Sequence, residues 1–272
     1  MAKPLLPDDL WEEIEPLLPA PTPRRYRYPG RKPIDDRSAL TGIIFVLKSG
    51  IPWEMLPQEM NCGSGMTCWR RLKAWEEAGV WDAVAKVLLE RLHQANKIDW
   101  DRALIDSGSI RAIGGGEKTG PNPTDRAKPG SKHHVLTDGN GIPLSHSLTG
   151  ANIPDIKQLF PLIDAIPLLE SPSGDVHGLP DKVLGDRAYD SEPHREALRG
   201  QDITPVMAKR GTEHGSGLGV FRWPVERTIG WLHGFKRLRI RFEQRADIHE
   251  AFMKLASIII YWRKLNQNSS FC

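Results

Sequence analysis

Apolar positions recur at helical spacing through the first ninety-odd residues. Leu10, Ile14 and Leu17 or Leu18 follow Asp8 and Asp9, which can cap a first turn, and prolines between 19 and 23 end that helix. After the linker YRYPGRKP, Asp35 or Asp36 opens a second helix with Leu40, Ile43, Ile44 and Leu47 inward and Gly50 as its stop. Thr67 opens a third, with Trp69, Leu72 and Trp75 inward and Gly79 at its end, and a fourth is expected from Trp81 to His93. From Trp100 the pattern turns to short buried-type strands. RALID is the first, and KHHVLTD and IPLSHSLT flank Gly139-Asn140-Gly141, a hairpin signal. A helix over 155–166, the strand KVLGD, a helix over 192–198, the strand ITPVMA, the glycine-rich GTEHGSGLG and long helices from Pro224 onward follow.

The order strand, hairpin, helix, strand, helix, strand, helix predicts an α/β ribonuclease H-like fold, whose mixed sheet carries acids at strand ends and on a late helix. An all-α, helix-turn-helix-like unit precedes it, and the boundaries implied are 1–95 and 96–272. With 272 residues, 39% of them hydrophobic, the chain has material for real cores and does not read as disordered. Its 37 basic and 34 acidic residues leave a net charge of only +3, so a polyanionic partner has to be argued from local clustering. Cys62, Cys68 and Cys272 form neither a disulfide framework nor a metal pair, which favours a reducing compartment. The opening MAKPLLPDDLWEEI is no secretory leader, and the apolar run from Leu255 to Trp262 is too short to span a bilayer; a soluble cytoplasmic protein without a membrane partner is expected.

Charge does cluster in two places. The second and third helices, joined by IPWEMLPQEM, have the look of a helix-turn-helix whose later helix shows Arg70, Arg71 and Lys73 to solvent. The segment FRWPVERTIGWLHGFKRLRIRF, residues 221–242, gathers Arg222, Arg227, Lys236, Arg237, Arg239 and Arg241 around the single acid Glu226. Such cations suit a phosphate backbone, with salt-dependent binding, although a solvated helix face has the same composition.

Asp106 closes the apolar run LIDSGS, and Asp186 closes VLGDRAYDS. A carboxylate finishing a buried strand is held by the sheet at the rim, where open α/β sheets bind ligands. Either aspartate alone reads equally well as a turn or cap residue, and Asp190 competes with Asp186. Glu226 supplies a third acid: Pro224 suits a helix's first turn, placing Glu226 near the positive end of the dipole. Three acids brought together repel one another, which implies a cation or a raised pKa. Hard oxygen donors suit Mg²⁺ or Mn²⁺, and two such ions are a known device for in-line attack on a phosphodiester.

The stretches LIDSGSIRA, GSKHHVLTDGNGIPLSHSLTGAN, VLGDRAYDS and FRWPVERTIGWLHGFKRL, with WEEIEPLLP, GRKP and GIPWEMLP before them, resemble in order the signatures of bacterial insertion-sequence DDE transposases of the insertion-sequence-five family. The resemblance covers nearly the whole chain. It implies that Asp106, Asp186 and Glu226 are the catalytic, metal-holding triad, that Arg222 is the arginine preceding the glutamate, and that Tyr189 is the tyrosine following the second aspartate. Asp190 and His233 are supporting candidates, His233 standing where related families often carry Lys and close relatives Asn. Ala188 replaces the usual glycine. The implied partners are double-stranded DNA, as terminal inverted repeats and as target, and a second copy of the chain in a synaptic complex; the implied location is the bacterial nucleoid. DNA contacts are expected from Arg31, Lys32, Arg70, Arg71, Lys73, Lys132, Arg227, Lys236, Arg237, Arg239 and Arg241. The rivals are a structure-selective nuclease with the same carboxylates and a catalytically inert repressor.

Other motifs weigh less. GGGEKT at 114–119 lacks the order of a phosphate-binding loop, GSGLG near 215 is no dinucleotide fingerprint, and His133 and His134 lack zinc spacing and are expected as satisfied strand histidines.

Overall fold

The computed structural model describes residues 4–20, 26–27, 30, 32–171, 173–209 and 219–267. Arg31, Cys272 and the glycine-rich stretch up to residue 218 lie outside them.

Five strands form the body of the main sheet: β1 (Ala103–Ala112), β2 (Pro129–Asp138), β3 (Pro143–Gly150), β4 (Lys182–Gly185) and β5 (Thr204–Met207); the two-residue strands Gly120–Pro121 and Ile240–Arg241 add short pairings to β2 and β1. The order of the five is β3-β2-β1-β4-β5, with β1, β2 and β3 antiparallel and β4 and β5 parallel to β1. An antiparallel meander continued by parallel strands is the ribonuclease H-like arrangement that the element order predicts. The hairpin turns at Gly139-Asn140-Gly141, with Gly141 at φ +80° and Asp138 bonding both Asn140 N and Ile142 N through Oδ1.

β1 runs well past RALID. Only Ala103 and Leu104 pair with β4, whereas residues 103–111 all pair with β2, so Asp106 lies within β1, just beyond the last residue paired to β4, and not at the strand's end. The apolar run stops at Ile105, but the antiparallel ladder continues through alternating small and polar residues, which period-based reading of RALID alone does not reveal.

Helices α1 (Asp8–Ile14), α2 (Asp36–Ser49), α3 (Gly65–Glu77) and α4 (Val80–Gln94) precede the sheet. Asp35 caps α2 by accepting from Ser38 N at 2.8 Å, and Gly50 ends it at φ +74°. The cap of α3 is Ser64, not Thr67: its hydroxyl accepts from Thr67 N at 3.2 Å. Between α2 and α3 the chain makes two short 3₁₀ turns, Trp53–Met55 and Gln58–Met60. That connection is far longer than the roughly three- to four-residue turn of a helix-turn-helix.

The helix expected over 155–166 is a 3₁₀ turn, Asp155–Gln158, leading into α5 (Leu159–Asp164). α6 (Glu192–Arg199) connects β4 to β5, and α7 (Gly219–Gly234), the short α8 (Lys236–Arg239) and α9 (Ala246–Asn266) complete the order. α7 begins before Pro224, so Pro224 is inside the helix and Glu226 lies beyond its first turn. A helix dipole acts on the first turn, so it does little for Glu226, contrary to the sequence expectation.

The front helices share one contiguous core with the sheet and α9. Trp53 stacks on Phe252 with centroids 5.7 Å apart, and Lys254 of α9 bridges Glu76 and Asp82 at 2.8 Å each.

Candidate active site

Asp106 and Asp186 follow the paired stretch of two neighbouring parallel strands: Ala103 pairs with Val183 and Leu104 with Leu184, the last pair standing two residues before each aspartate, and the two carboxylates are near enough to act on one another electrostatically. Asp186 follows β4 directly, and its Oδ1 accepts from Ala188 N at 2.8 Å, capping the turn Arg187–Tyr189. Glu226 is carried on α7, which crosses β1 at Gly108. A Cβ at Gly108 would lie 3.1 Å from Ile229 Cγ2 and 3.2 Å from His233 Cε1, so the absent side chain sets how closely α7 lies on the sheet. Glu226 itself is exposed.

Electrostatics ties the three acids together at Asp106. Its carboxyl is raised to about 6: burial, the largest cause, and more weakly Asp186 and Glu226 push it up, against the lowering by Arg222 and the Ser107 N–H. Arg222 Nη2 lies 3.1 Å from Asp106 Oδ2, and Arg222 Nε is buried with no partner among the described residues.

A second polar group flanks Asp106. Asp155, legible in sequence only as a helix cap, accepts from Ser107 Oγ at 2.8 Å and pairs with Lys132 Nζ at 2.8 Å. Lys132 also donates to Ile153 O at 2.9 Å, so it is bound inside the protein and not free for a phosphate. Tyr189 is buried; burial first, then Asp155, Asp106 and Asp186, hold its phenol well above the usual range, so it is neutral, and its hydroxyl has no hydrogen-bond partner among the described residues. Asp190 does not join the carboxylates: it pairs with Arg195 at 2.8 Å, whose Nη2 also donates to Met207 O.

The expected DNA-contacting cations divide by burial. Arg70, Lys236, Arg239 and Lys32 are exposed. Arg71 pairs with Asp36, and Lys73 with Glu77 at 2.9 Å. Arg227 lies between Trp223 and Trp231, 4.3 and 4.5 Å from their ring centroids, and donates to Asn140 O at 2.6 Å. Arg237 is 5% exposed, pairs with Glu243 at 2.7 Å and donates to Ile51 O at 3.0 Å. Arg241 is fully buried and bonds Ser131 Oγ and Glu243 O at 2.8 Å each. These last three are structural cations. A basic run on paper is a solvated face only where the helix continues, and here the chain breaks at Phe235 and Ile240, turning Arg237 and Arg241 inward.

Whether the carboxylates suit a metal is answered by their chemistry. They are hard oxygen donors; Asp106 is raised by burial first, with Asp186 and Glu226 adding smaller repulsions that a divalent cation would relieve. Among the described residues, no three His, Cys, Asp or Glu side chains are gathered closely enough to hold one ion. The fit is therefore one of donor type.

Two family profiles match in sequence order: "Putative transposase of IS4/5 family (DUF4096)" over residues 6–85 and "Transposase DDE domain" over residues 101–262. The chain is 62% identical over 153 residues to a Burkholderia cepacia protein described as "Putative transposase for insertion sequence element IS402", an alignment spanning 56% of this chain and 72% of the relative. It is 58% identical over 123 residues to an IS402 16.2 kDa protein of the same organism, spanning 45% and 84%. The solved Mos1 mariner paired-end complex with Mn aligns at a TM-score of 0.37 and 11% identity, covering 92% of this chain and 78% of that one. No helix among the described residues is long and apolar enough to cross a membrane. DDE transposases cut and join DNA with divalent metal ions, and by the match of its catalytic region and its relatives this chain belongs to that family of insertion-sequence transposases.

Proposed function

We propose that Asp106, Asp186 and Glu226 are the catalytic carboxylates of this transposase and hold two Mg²⁺ or Mn²⁺ ions between them. The carrying observation is the field at Asp106, where burial and the other two acids act in the same direction. When bound, the ions would supply activation of the attacking oxygen and charge neutralisation at the leaving one. The chain's own part is placement. β1 and β4 fix the two aspartates, α7 brings Glu226 across Gly108, and Arg222 orients Asp106 while offsetting part of its charge. In this reading water cleaves each element end to free a 3′-hydroxyl, which then attacks target DNA.

Terminal inverted repeats are read by the unit 1–95, with exposed Arg70 as a contact; Lys236 and Arg239, exposed beyond α7, hold backbone phosphates. Joining two ends requires at least two copies of the chain, acting in the cytoplasm at the nucleoid. In the test, purified protein is given its own element ends with Mg²⁺ or Mn²⁺. Glu226→Gln is expected to abolish cleavage while end binding persists; wild-type protein inert under both metals overturns the catalytic reading. Products joined to target DNA exclude a nuclease without strand-transfer activity.

A further inference from the structure

Three histidines run in a line from α7 through β2 to α9. His233 Nε2 of α7 lies 3.4 Å from His133 Nδ1 of β2, and His133 Nε2 lies 2.8 Å from His249 Nε2 in the first turn of α9. His249 Nδ1 then lies 3.7 Å from Glu243 Oε2. His133, His249 and Glu243 are buried, and His249 Nδ1 and Glu243 Oε2, facing each other just beyond hydrogen-bond distance, have no hydrogen-bond partner among the described residues. Glu243 Oε1 is taken by Arg237, whose Nε and Nη2 both stand at 2.7 Å.

The line has a direction, because its last member can only accept. Glu243 is ionised beside Arg237, so the proton of His249 belongs on Nδ1. His249 Nε2 is then a lone pair and accepts from His133 Nε2–H. His133 Nδ1 is a lone pair in turn and accepts from His233 Nε2–H. Each neutral imidazole has one donor and one acceptor, so one carboxylate fixes all three tautomers. Burial keeps all three rings neutral by lowering their pKa values.

We infer that this relay presents His233 as a neutral ring whose Nδ1, without a partner among the described residues, accepts a hydrogen bond from a donor on the bound DNA: a base amino group or the freed 3′-hydroxyl. Position 233 thus does not grip a phosphate, which offers only acceptors. The DNA half of this inference rests on the reading of α7 as the helix beside the scissile end; the tautomers do not.

The closing experiment therefore has two parts. On the full-length free protein near pH 7.5, long-range ¹H–¹⁵N spectra of the histidine rings should show His133 and His233 protonated at Nε2, His249 at Nδ1, and none doubly protonated. His249 protonated at Nε2, or a cationic His233, overturns the relay whatever the protein does to DNA. On cleaved element ends, His233→Asn sets an amide near the place of Nδ1, and His233→Gln near that of Nε2. End binding should weaken at least about fivefold more in the Gln than in the Asn variant. Equal losses, the reverse order, or tighter binding by His233→Lys overturns the acceptor role. Ends with a 3′-deoxy terminus separate the donors: weaker binding by the wild type but not by His233→Phe marks the hydroxyl, and no change marks a base amino group.

Discussion

Arg222 and Asp106 form an ion pair inside the candidate site, Nη2 to Oδ2 at 3.1 Å, with side chains only 16% and 18% exposed. The pair joins α7 to β1 next to the acids that act on Asp106, and it is the only interaction apart from the Ser107 N–H named above as lowering that carboxyl. Arg222→Gln leaves Asp106 without its counter-charge. Cleavage of element ends should fall on the order of a hundredfold, with end binding changed little, as measured by single-turnover cleavage and by titration of labelled ends. Equal losses in both would assign Arg222 to DNA grip.

Gly108 is where α7 lies on β1. Gly108→Ala forces Ile229 and His233 outward, and overpacking of this kind costs about 1–3 kcal/mol. Cleavage should suffer more than stability suggests, because the displaced helix carries Glu226. Urea denaturation gives the first quantity and end cleavage the second.

Asp155 and Lys132 support the floor of the cleft. Asp155→Leu alone leaves Lys132 with Ile153 O as its remaining partner and should destabilise by about 3 kcal/mol, since removing one member strands the other charge. Combining it with Lys132→Met should recover at least about 1 kcal/mol relative to additivity, read from a double-mutant cycle.

His134 is fully buried, bonds Thr149 Oγ1 at 2.8 Å and has its pKa lowered to about 4, chiefly by burial. Its folded value lies below its unfolded one, so it costs nothing above about 6.5. As the pH falls from 6.5 to 4, the unfolded chain takes a proton that the folded one refuses. Over that window wild type should lose roughly 3 kcal/mol relative to His134→Gln, measured by chemical denaturation at each pH. A constant difference between the two would refute it.

Exposed and buried cations should separate cleanly. Lys236→Gln and Arg239→Gln should each reduce the slope of log binding against log salt by about 0.9 and leave melting unchanged. Arg241→Gln should lower the melting temperature and leave the slope alone, because its guanidinium is spent on Ser131, Glu243 and Gln244.

Much was legible in the residues themselves. Periodicity and caps locate α2, α4 and the β2–β3 hairpin, because those signals are local: Asp35 before its apolar stripe, glycines where φ must be positive. The order of elements gives the ribonuclease H-like sheet, since few topologies join that order with short connections. Asp106, Asp186 and Glu226 stood out by context as acids next to apolar runs. What a sequence cannot carry is which residues far apart in the chain come to face one another. That Asp106 lies within a longer strand, that Asp155 turns to Ser107 and Lys132, and that Arg237 and Arg241 point inward all depend on partners a dozen or more residues away, apart from Glu243 and Gln244. The histidine line spans β2, α7 and α9, so its direction exists only once Glu243 is buried beside His249. Local chemistry chose the elements; packing decided which charges face solvent and which hold the protein together.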